Sequence, residues 1–219
     1  MIGVGYNNCK DLGFSAKSLF RALAPEIAQL QDSKKGQKPI VAKVHNEITD
    51  FQSFVETFLY FFSQGANAEY VSLDKELFLL LQDRLYEEKI KLNEELGGHA
   101  SVWAKRALQE GCRAYTTAWP SNFNKKNLKW QGDDTGLIFP VDKMVIDADV
   151  NKPKTQDTHL VLEYKAGEMI LGFAAPRSNR FYFVHDPNGS VLEQMTDYHA
   201  IIDQVEEKDK PYRHMFGGF

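Results

Sequence analysis

The stretch M-I-G-V-G-Y-N-N-C-K-D-L-G-F, residues 1–14, sets where the first ordered layer begins. A short apolar run passes straight into Gly5, the Asn7-Asn8 pair and Asp11, the pattern of a strand over 2–6 that ends in a turn. Polar side chains are thereby left at the carboxyl end of a strand, where open α/β sheets bind ligands. Leu12, Leu19, Leu23, Ile27 and Leu30 then recur at helical intervals as far as Lys34-Lys35-Gly36, so a helix over 12–31 is expected next.

Helical signals continue to about residue 111. T-D-F-Q at 49–52 is a capping box, which satisfies exposed backbone N–H groups, and Phe51, Phe54, Val55, Phe58, Leu59 and Phe62 supply a wide apolar face that Gly65 closes. A further helix is expected over 73–92, with Leu73, Leu77, Leu80, Leu81 and Leu85 inward, and another from the break at Gly97-Gly98 to Gly111. The character then changes. C-R-A-Y-T-T-A-W, G-L-I-F-P-V, H-L-V-L-E-Y, E-M-I-L-G-F and R-F-Y-F-V-H are short runs rich in β-branched and aromatic residues, separated by turn residues. The last three, joined by K-A-G and P-R-S-N, are expected to form an antiparallel meander. S-V-L-E at 190–193 opens a helix expected through Val205, and M-F-G-G-F at the end resembles the start of another element. Soft linkers are expected at 32–39 and 147–157. The whole is an α/β pattern.

Composition limits the function classes. At 219 residues, 43% hydrophobic and 26% charged, the chain is a globular protein with room for one large core or two smaller ones. Its net charge of −4, with both signs interspersed, provides no basic face to neutralise a phosphate backbone, so nucleic acid is not an expected partner. Cys9 and Cys112 lie far apart without metal-ligand spacing and are expected to be ordinary reduced thiols. There is no apolar stretch of membrane-spanning length, and Met1 leads into a strand rather than a signal segment. A cytosolic protein is expected, or one whose targeting segment lies upstream.

Some local features could carry chemistry, and each has a plain structural alternative. Asn7 and Asp11 can exchange hydrogen bonds with sugar-like hydroxyls, or make an Asx turn and a helix cap. Gly97 and Gly98 allow a ligand close to backbone at a positive helix end, or merely stop and restart a helix. His159 and Glu163 share one strand face by period-two alternation, ready for a cleft or for a surface pair. Arg180, with its planar fork, can clamp a phosphate or sit as a solvated charge. His45, His99, His159, His185, His199 and His214 show no zinc spacing. Q-G-D-D-T-G at 131–136 lacks an ensuing amphipathic helix and is expected to be a loop.

Taken in order, V-G-Y-N-N-C-K-D-L, G-A-N-A-E-Y with S-L-D-K-E-L-F, G-G-H-A, H-L-V-L-E-Y-K-A-G-E, A-P-R-S-N-R-F-Y-F-V-H-D and N-G-S-V-L-E-Q-M span nearly the whole chain. In that order and spacing the sequence resembles the amino-terminal part of the ADP-dependent glucokinases, ribokinase-like sugar kinases, with the animal members the nearest likeness. The resemblance implies mainly the small lid domain, a sheet covered by helices, over 41–185, with pieces of the large nucleotide-binding domain at 1–40 and 186–219. It implies that Asn7, Asp11, Glu69, Gly97, Gly98, His99 and His159 contact glucose and that Arg180 reaches the phosphates of ADP. Animal relatives of this type commonly begin with a segment targeting the endoplasmic reticulum, the second compartment expected.

Two departures qualify the likeness. His99 stands where the family usually has Asn or Gln after Gly-Gly, and an imidazole's two hydrogen-bonding functions depend on its tautomer. The G-x-G-D helix start and N-E-x-E segment, by which the family supplies the base, the anion hole and Mg²⁺, are not among these residues. An amino-terminal fragment without a catalytic residue, inactive alone, is therefore expected, with Mg²⁺ implied only for the intact enzyme. Its first strand is expected to be left as an unpaired edge, open to self-association. The alternatives are an ATP-dependent ribokinase-like sugar kinase and a non-catalytic sugar-binding module.

Overall fold

The fold is that of a computed structural model, which describes residues 2–5, 9–31, 40–98, 102–103, 106, 109–111, 114–116, 137–138, 157–186 and 213–216. In chain order the elements begin β1 (Ile2–Gly5), β2 (Cys9–Ser15), α1 (Ala16–Ala22), α2 (Ala24–Leu30), α3 (Phe51–Gln64), β3 (Ala68–Val71), α4 (Lys75–Glu87) and β4 (Asn93–Gly97). They continue β5 (Ala114–Thr116), β6 (Leu137–Ile138), β7 (Thr158–Tyr164), β8 (Met169–Ile170), β9 (Phe173–Ala174), β10 (Asn179–His185) and β11 (Arg213–Phe216). The chain divides into two compact units: Met1–Lys10, Glu94–Asp157 and Asp186–Phe219 form one, Asp11–Asn93 and Thr158–His185 the other.

The first unit holds a parallel sheet in the order β11-β1-β5-β6. The first strand is therefore not the unpaired edge expected. Ile2 lies opposite Arg213 on one side and Ala114 on the other, because R-H-M-F near the chain's end supplies a partner strand. Lys10, at this unit's boundary, pairs with Glu94 at 3.0 Å and donates its N–H to the Asp157 carbonyl at 2.9 Å.

In the second unit the strands run β3-β10-β7-β2. β10 is antiparallel to β7 and parallel to β3. The expected meander is corrected here: β7 pairs directly with β10, and the run between them folds out as the separate hairpin β8-β9. Gly167 and Gly172 take positive φ, and a mutual bond pattern between Gly167, Glu168 and Ala175 closes the hairpin's base.

The expected helix over 12–31 is also corrected. Residues 9–15 are extended, and helix begins only at Ala16, after Ser15, whose hydroxyl accepts from the Ser18 N–H. Leu12 fitted the helical period by coincidence; with Phe14 it obeys the strand period of two, and both are buried. β2, α1 and α2 contribute Leu12, Phe14, Leu19, Leu23 and Ile27 to the second unit's core.

The remaining helices follow their signals with small shifts. Asp50, one residue after the expected cap, accepts from the Ser53 N–H at 2.7 Å while the Ser53 hydroxyl accepts from the Asp50 N–H at 3.1 Å. Gly65 closes α3 in the left-handed region at φ 61°, as expected. Asp74 caps α4, which spans 75–87 rather than 73–92. After Gly98, residues Val102, Trp103, Arg106 and Gln109 are helical. Asn7, His99, Cys112, the 131–136 loop, the 190–205 helix, the 32–39 linker and most of the 147–157 linker lie outside the described residues. Among the described residues no helix is long and apolar enough to cross a membrane.

One core unites the second unit. Phe54, Phe58 and Phe62 of α3 line up at i, i+4 spacing; Phe54 meets Phe181 and Phe183 of β10, Phe58 stands edge-on to Phe181 at a ring separation of 5.7 Å, and Phe62 meets Tyr164 of β7. Leu160, Leu162 and Tyr164 of β7 complete the floor, and Leu77, Phe78, Leu81 and Leu85 of α4 the flank. The Tyr164 hydroxyl donates to the Ala66 carbonyl at 2.6 Å, and burial pushes its pKa up to about 12 against the opposing charge of Arg177.

Gly65 is the tightest junction. Its carbonyl accepts from Arg177 Nε at 2.6 Å and Asn179 Nδ2 at 2.9 Å. A Cβ there would stand 2.5 Å from Arg177 Cγ and 3.1 Å from Pro176 Cγ. Gly65→Ala is expected to destabilise by about 2–5 kcal/mol, combining left-handed backbone strain with overpacking, read as a lowered urea midpoint.

Residues 40–48 run along α3 and are fastened to it by polar groups. The Lys43 N–H donates to the Glu56 carbonyl at 3.2 Å, the His45 N–H to Thr57 Oγ1 at 3.3 Å, and His45 Nε2 lies 2.7 Å from Glu56 Oε2. Burial works to raise the Glu56 carboxyl. Hydrogen bonds from Gln52 and His45, the charge of His45 and the Val41 N–H outweigh it and hold the group below its ordinary 4.5. A lowered folded-state pKa gives stability that is complete above the unfolded value and is lost as pH falls through the folded one. Between pH about 7 and about 3.5 the parent chain should lose more of its urea midpoint than Glu56→Gln, in which this acid-dependent contribution is gone.

Candidate functional site

Strand alternation sorts the second unit's sheet into two faces. Residues 12 and 14 of β2, 160, 162 and 164 of β7, and 181 and 183 of β10 are buried in the core under the helices. The intervening positions, Asp11, Gly13 and Ser15, His159, Val161 and Glu163, Arg180, Tyr182 and Val184, and Glu69 and Val71 of β3, must then occupy the opposite face. Cross-strand register sets their neighbours: Arg180 opposite Glu163, Val184 opposite His159, and Tyr182 between Val161 and Glu69.

Chemistry-bearing side chains therefore gather on one face. His159 Nδ1 lies 3.2 Å from Asp11 Oδ1, with the imidazole 12% and the carboxylate 27% exposed. The Asp11 side chain is thus not a cap at the end of the first strand, nor in a layer separate from His159. Both project from the same sheet, because the apolar residues Leu12 and Phe14 draw β2 into it. Glu69 is exposed near the sheet's β3 side. Arg180, also exposed, donates from Nη1 to the Tyr182 hydroxyl at 3.3 Å. The Glu163 carboxyl carbon is 3.9 Å from where a Cβ on Gly13 would stand, which lays that side chain over β2.

The glycine pair belongs to the first unit. Gly97 is buried at the end of β4, and Gly98, at φ 85°, offers its carbonyl to the Val102 N–H at 3.1 Å. The expected pair before a helix is present, with a strand rather than a helix ahead of it. Tyr182 was missed by sequence reasoning, although its place two residues from Arg180 on a strand was enough to find it.

These layers define an α/β protein of ribokinase-like fold, the fold shared with solved ADP-dependent phosphofructokinases. One of these, described as a hypothetical ADP-dependent phosphofructokinase from Pyrococcus horikoshii OT3, superposes with a TM-score of 0.52 at 17% identity, over 84% of this chain and 41% of that one. Another, an ADP-dependent kinase in complex with fructose-6-phosphate and ADPβS, gives a TM-score of 0.52 at 16% identity, over 84% and 34%.

Residues 1–218 match the conserved region described as ADP-specific phosphofructokinase/glucokinase, and the chain belongs to that family. It is 25% identical over 205 residues to the ADP-dependent glucokinase of Bos taurus, covering 94% of this chain and 36% of the relative. It is 28% identical over 152 residues to a probable ADP-dependent glucokinase of Caenorhabditis elegans, covering 67% and 27%. The chain thus spans about a third of the length of these relatives.

The two faces should respond oppositely to truncation. Leu162→Ala removes a core side chain and is expected to cost about 2–5 kcal/mol. Glu163→Ala, one residue on, should change stability by less than about 1 kcal/mol, the worth of an exposed cross-strand pair. Equal losses in urea unfolding would reverse the assignment of faces.

Proposed function

We propose that this chain is the sugar-binding, amino-terminal portion of an ADP-dependent glucokinase, which transfers a phosphoryl group from ADP to glucose. A glucose hydroxyl oxygen forms a bond to the β-phosphorus of ADP, the bond from that phosphorus to the oxygen bridging to the α-phosphate breaks, and AMP leaves. The hydroxyl proton goes to a base that is not assigned to this chain. The observation that carries the reading is the gathering of Asp11, His159 and Glu69 on the face of the sheet away from the helices. A hexose is a ring of hydroxyls, each both donor and acceptor, so carboxylates and an imidazole on one surface match it. Family membership and the glucokinase names of the curated relatives support the same acceptor.

In this reading Asp11 and Glu69 accept from glucose hydroxyls and His159 adds an imidazole contact. Arg180 meets the phosphates of ADP with its guanidinium. The second unit serves as the lid and the first as part of the nucleotide-binding domain. Magnesium takes about six oxygen ligands. Asp11 beside an imidazole is not such a set, so the ion implied for the intact enzyme is assigned no ligand here and no step runs through it.

Titration calorimetry of the chain with glucose, with fructose 6-phosphate as the competing acceptor, tests the reading. Glucose is expected to bind, and Glu69→Ala to weaken it roughly ten- to a hundredfold, the cost of one hydrogen bond to a charged group. Preference for the sugar phosphate would move the acceptor to the phosphofructokinase side of the family, and binding of neither would end the sugar assignment. With ADP and glucose the chain alone should show only background turnover. Turnover well above it would overturn the division of the active site proposed here.

A further inference from the structure

We infer that Tyr182 is a ligand contact: its hydroxyl accepts from Arg180 and directs its own proton to a phosphoryl oxygen, so that the two side chains act as one anion-binding pair. Arg180 Nη1 donates to that hydroxyl at 3.3 Å, a long hydrogen bond. A phenol oxygen both accepts and donates, and among the described residues this one donates to none. With an N–H aimed at its lone pair, the O–H turns away from the guanidinium. The pair therefore offers a ligand a donor beside a positive charge. Arg180 makes further interactions as well, so what it brings is its charge, which acts whichever of its N–H groups are engaged.

Position on the sheet gives the second reason. Tyr182 stands in register with Glu69 of β3 on one side and Val161 of β7 on the other, and Arg180 lies two residues away on the same face. Glu163 is the cross-strand neighbour of Arg180, but its carboxyl carbon is 3.9 Å from where a Cβ on Gly13 would stand, over β2 and on the far side of β7 from Tyr182. From Glu69 through Tyr182 to Arg180 the face thus passes from an acceptor, by way of a hydroxyl, to a cation. Sugar hydroxyls suit the first and a phosphoryl group the last. On the sugar reading above, on which this inference rests, Tyr182 stands where the acceptor sugar and the phosphate of ADP meet.

The test follows the chain with carbon-13-labelled tyrosine rings, the Tyr182 signal assigned from its backbone neighbours, during titration with inorganic pyrophosphate. That signal is expected to move saturably. By calorimetry Tyr182→Phe should weaken pyrophosphate binding roughly tenfold, the worth of one hydrogen bond to a charged group, while glucose affinity and the urea midpoint stay unchanged. Equal losses for pyrophosphate and glucose would make Tyr182 a structural residue and overturn the proposal. A Tyr182 signal unmoved by pyrophosphate, or the absence of pyrophosphate binding, would overturn it too, and either decides even if Tyr182→Phe fails to fold. So would undiminished binding by a folded Tyr182→Phe. Glucose 6-phosphate distinguishes the source of the phosphoryl group: a loss confined to that ligand would overturn the assignment to ADP. Failure to bind glucose, with pyrophosphate held through Tyr182, would defeat the sugar reading and leave the anion-binding pair in place.

Discussion

The packing of α3 on the strand pair β7-β10 is the constraint on which the second unit depends. Phe54, Phe58 and Phe62 form one helical stripe, and Phe181, Phe183, Leu160 and Leu162 one face of the pleat. Burying an aromatic or leucine side chain is worth roughly 1.5–3 kcal/mol, so exchanging this face for the other would cost far more than the protein's net stability. With the apolar set locked inward, a period of two leaves His159, Glu163, Arg180 and Tyr182 nowhere but the opposite face. The functional surface is in this sense the complement of the core.

The same logic explains why β2 matters out of proportion to its length. Leu12 and Phe14 attach it to the sheet, and Asp11 is carried to His159 as a result. A polar residue without those two neighbours would have no reason to be near the imidazole. The Gly65 junction works alongside. A glycine in the left-handed region turns α3 toward β3, and its carbonyl is held by Arg177 and Asn179, so the P-R-S-N-R segment anchors the helix end with one arginine and presents the other on the sheet face. Two arginines in one short segment thus have separate work.

Much of this was legible in advance where a signal was long or chemically specific. The α3 face, its closing glycine, the period-two runs at 158–164 and 179–185, and the pairing of His159 with Glu163 on one strand face all follow from side-chain spacing. At Asp11 the turn chemistry misled, because its polar neighbours outweighed the alternation of Leu12 and Phe14 that follows it. The helical period from Leu12 to Leu30 misled in the same place, since one residue in register with a later helix cannot be told from a member of it. The E-M-I-L-G-F run is as β-prone as its neighbours, yet two glycines at positive φ fold it out of the main sheet.

By itself the sequence determined the α/β class, the closing glycine and core face of α3, and the family likeness, because these are written in local spacing and in ordered motifs. It could not determine that β1 gains partners on both sides, since R-H-M-F lies near the far end of the chain and parallel pairing is a long-range choice. Nor could it determine that Asp11 meets His159. Nearly 150 residues separate them along the chain, and only burial of the apolar residues beside each brings the two strands together. Alternation says which way a side chain faces; which side chain it faces is decided by how strands pair in three dimensions.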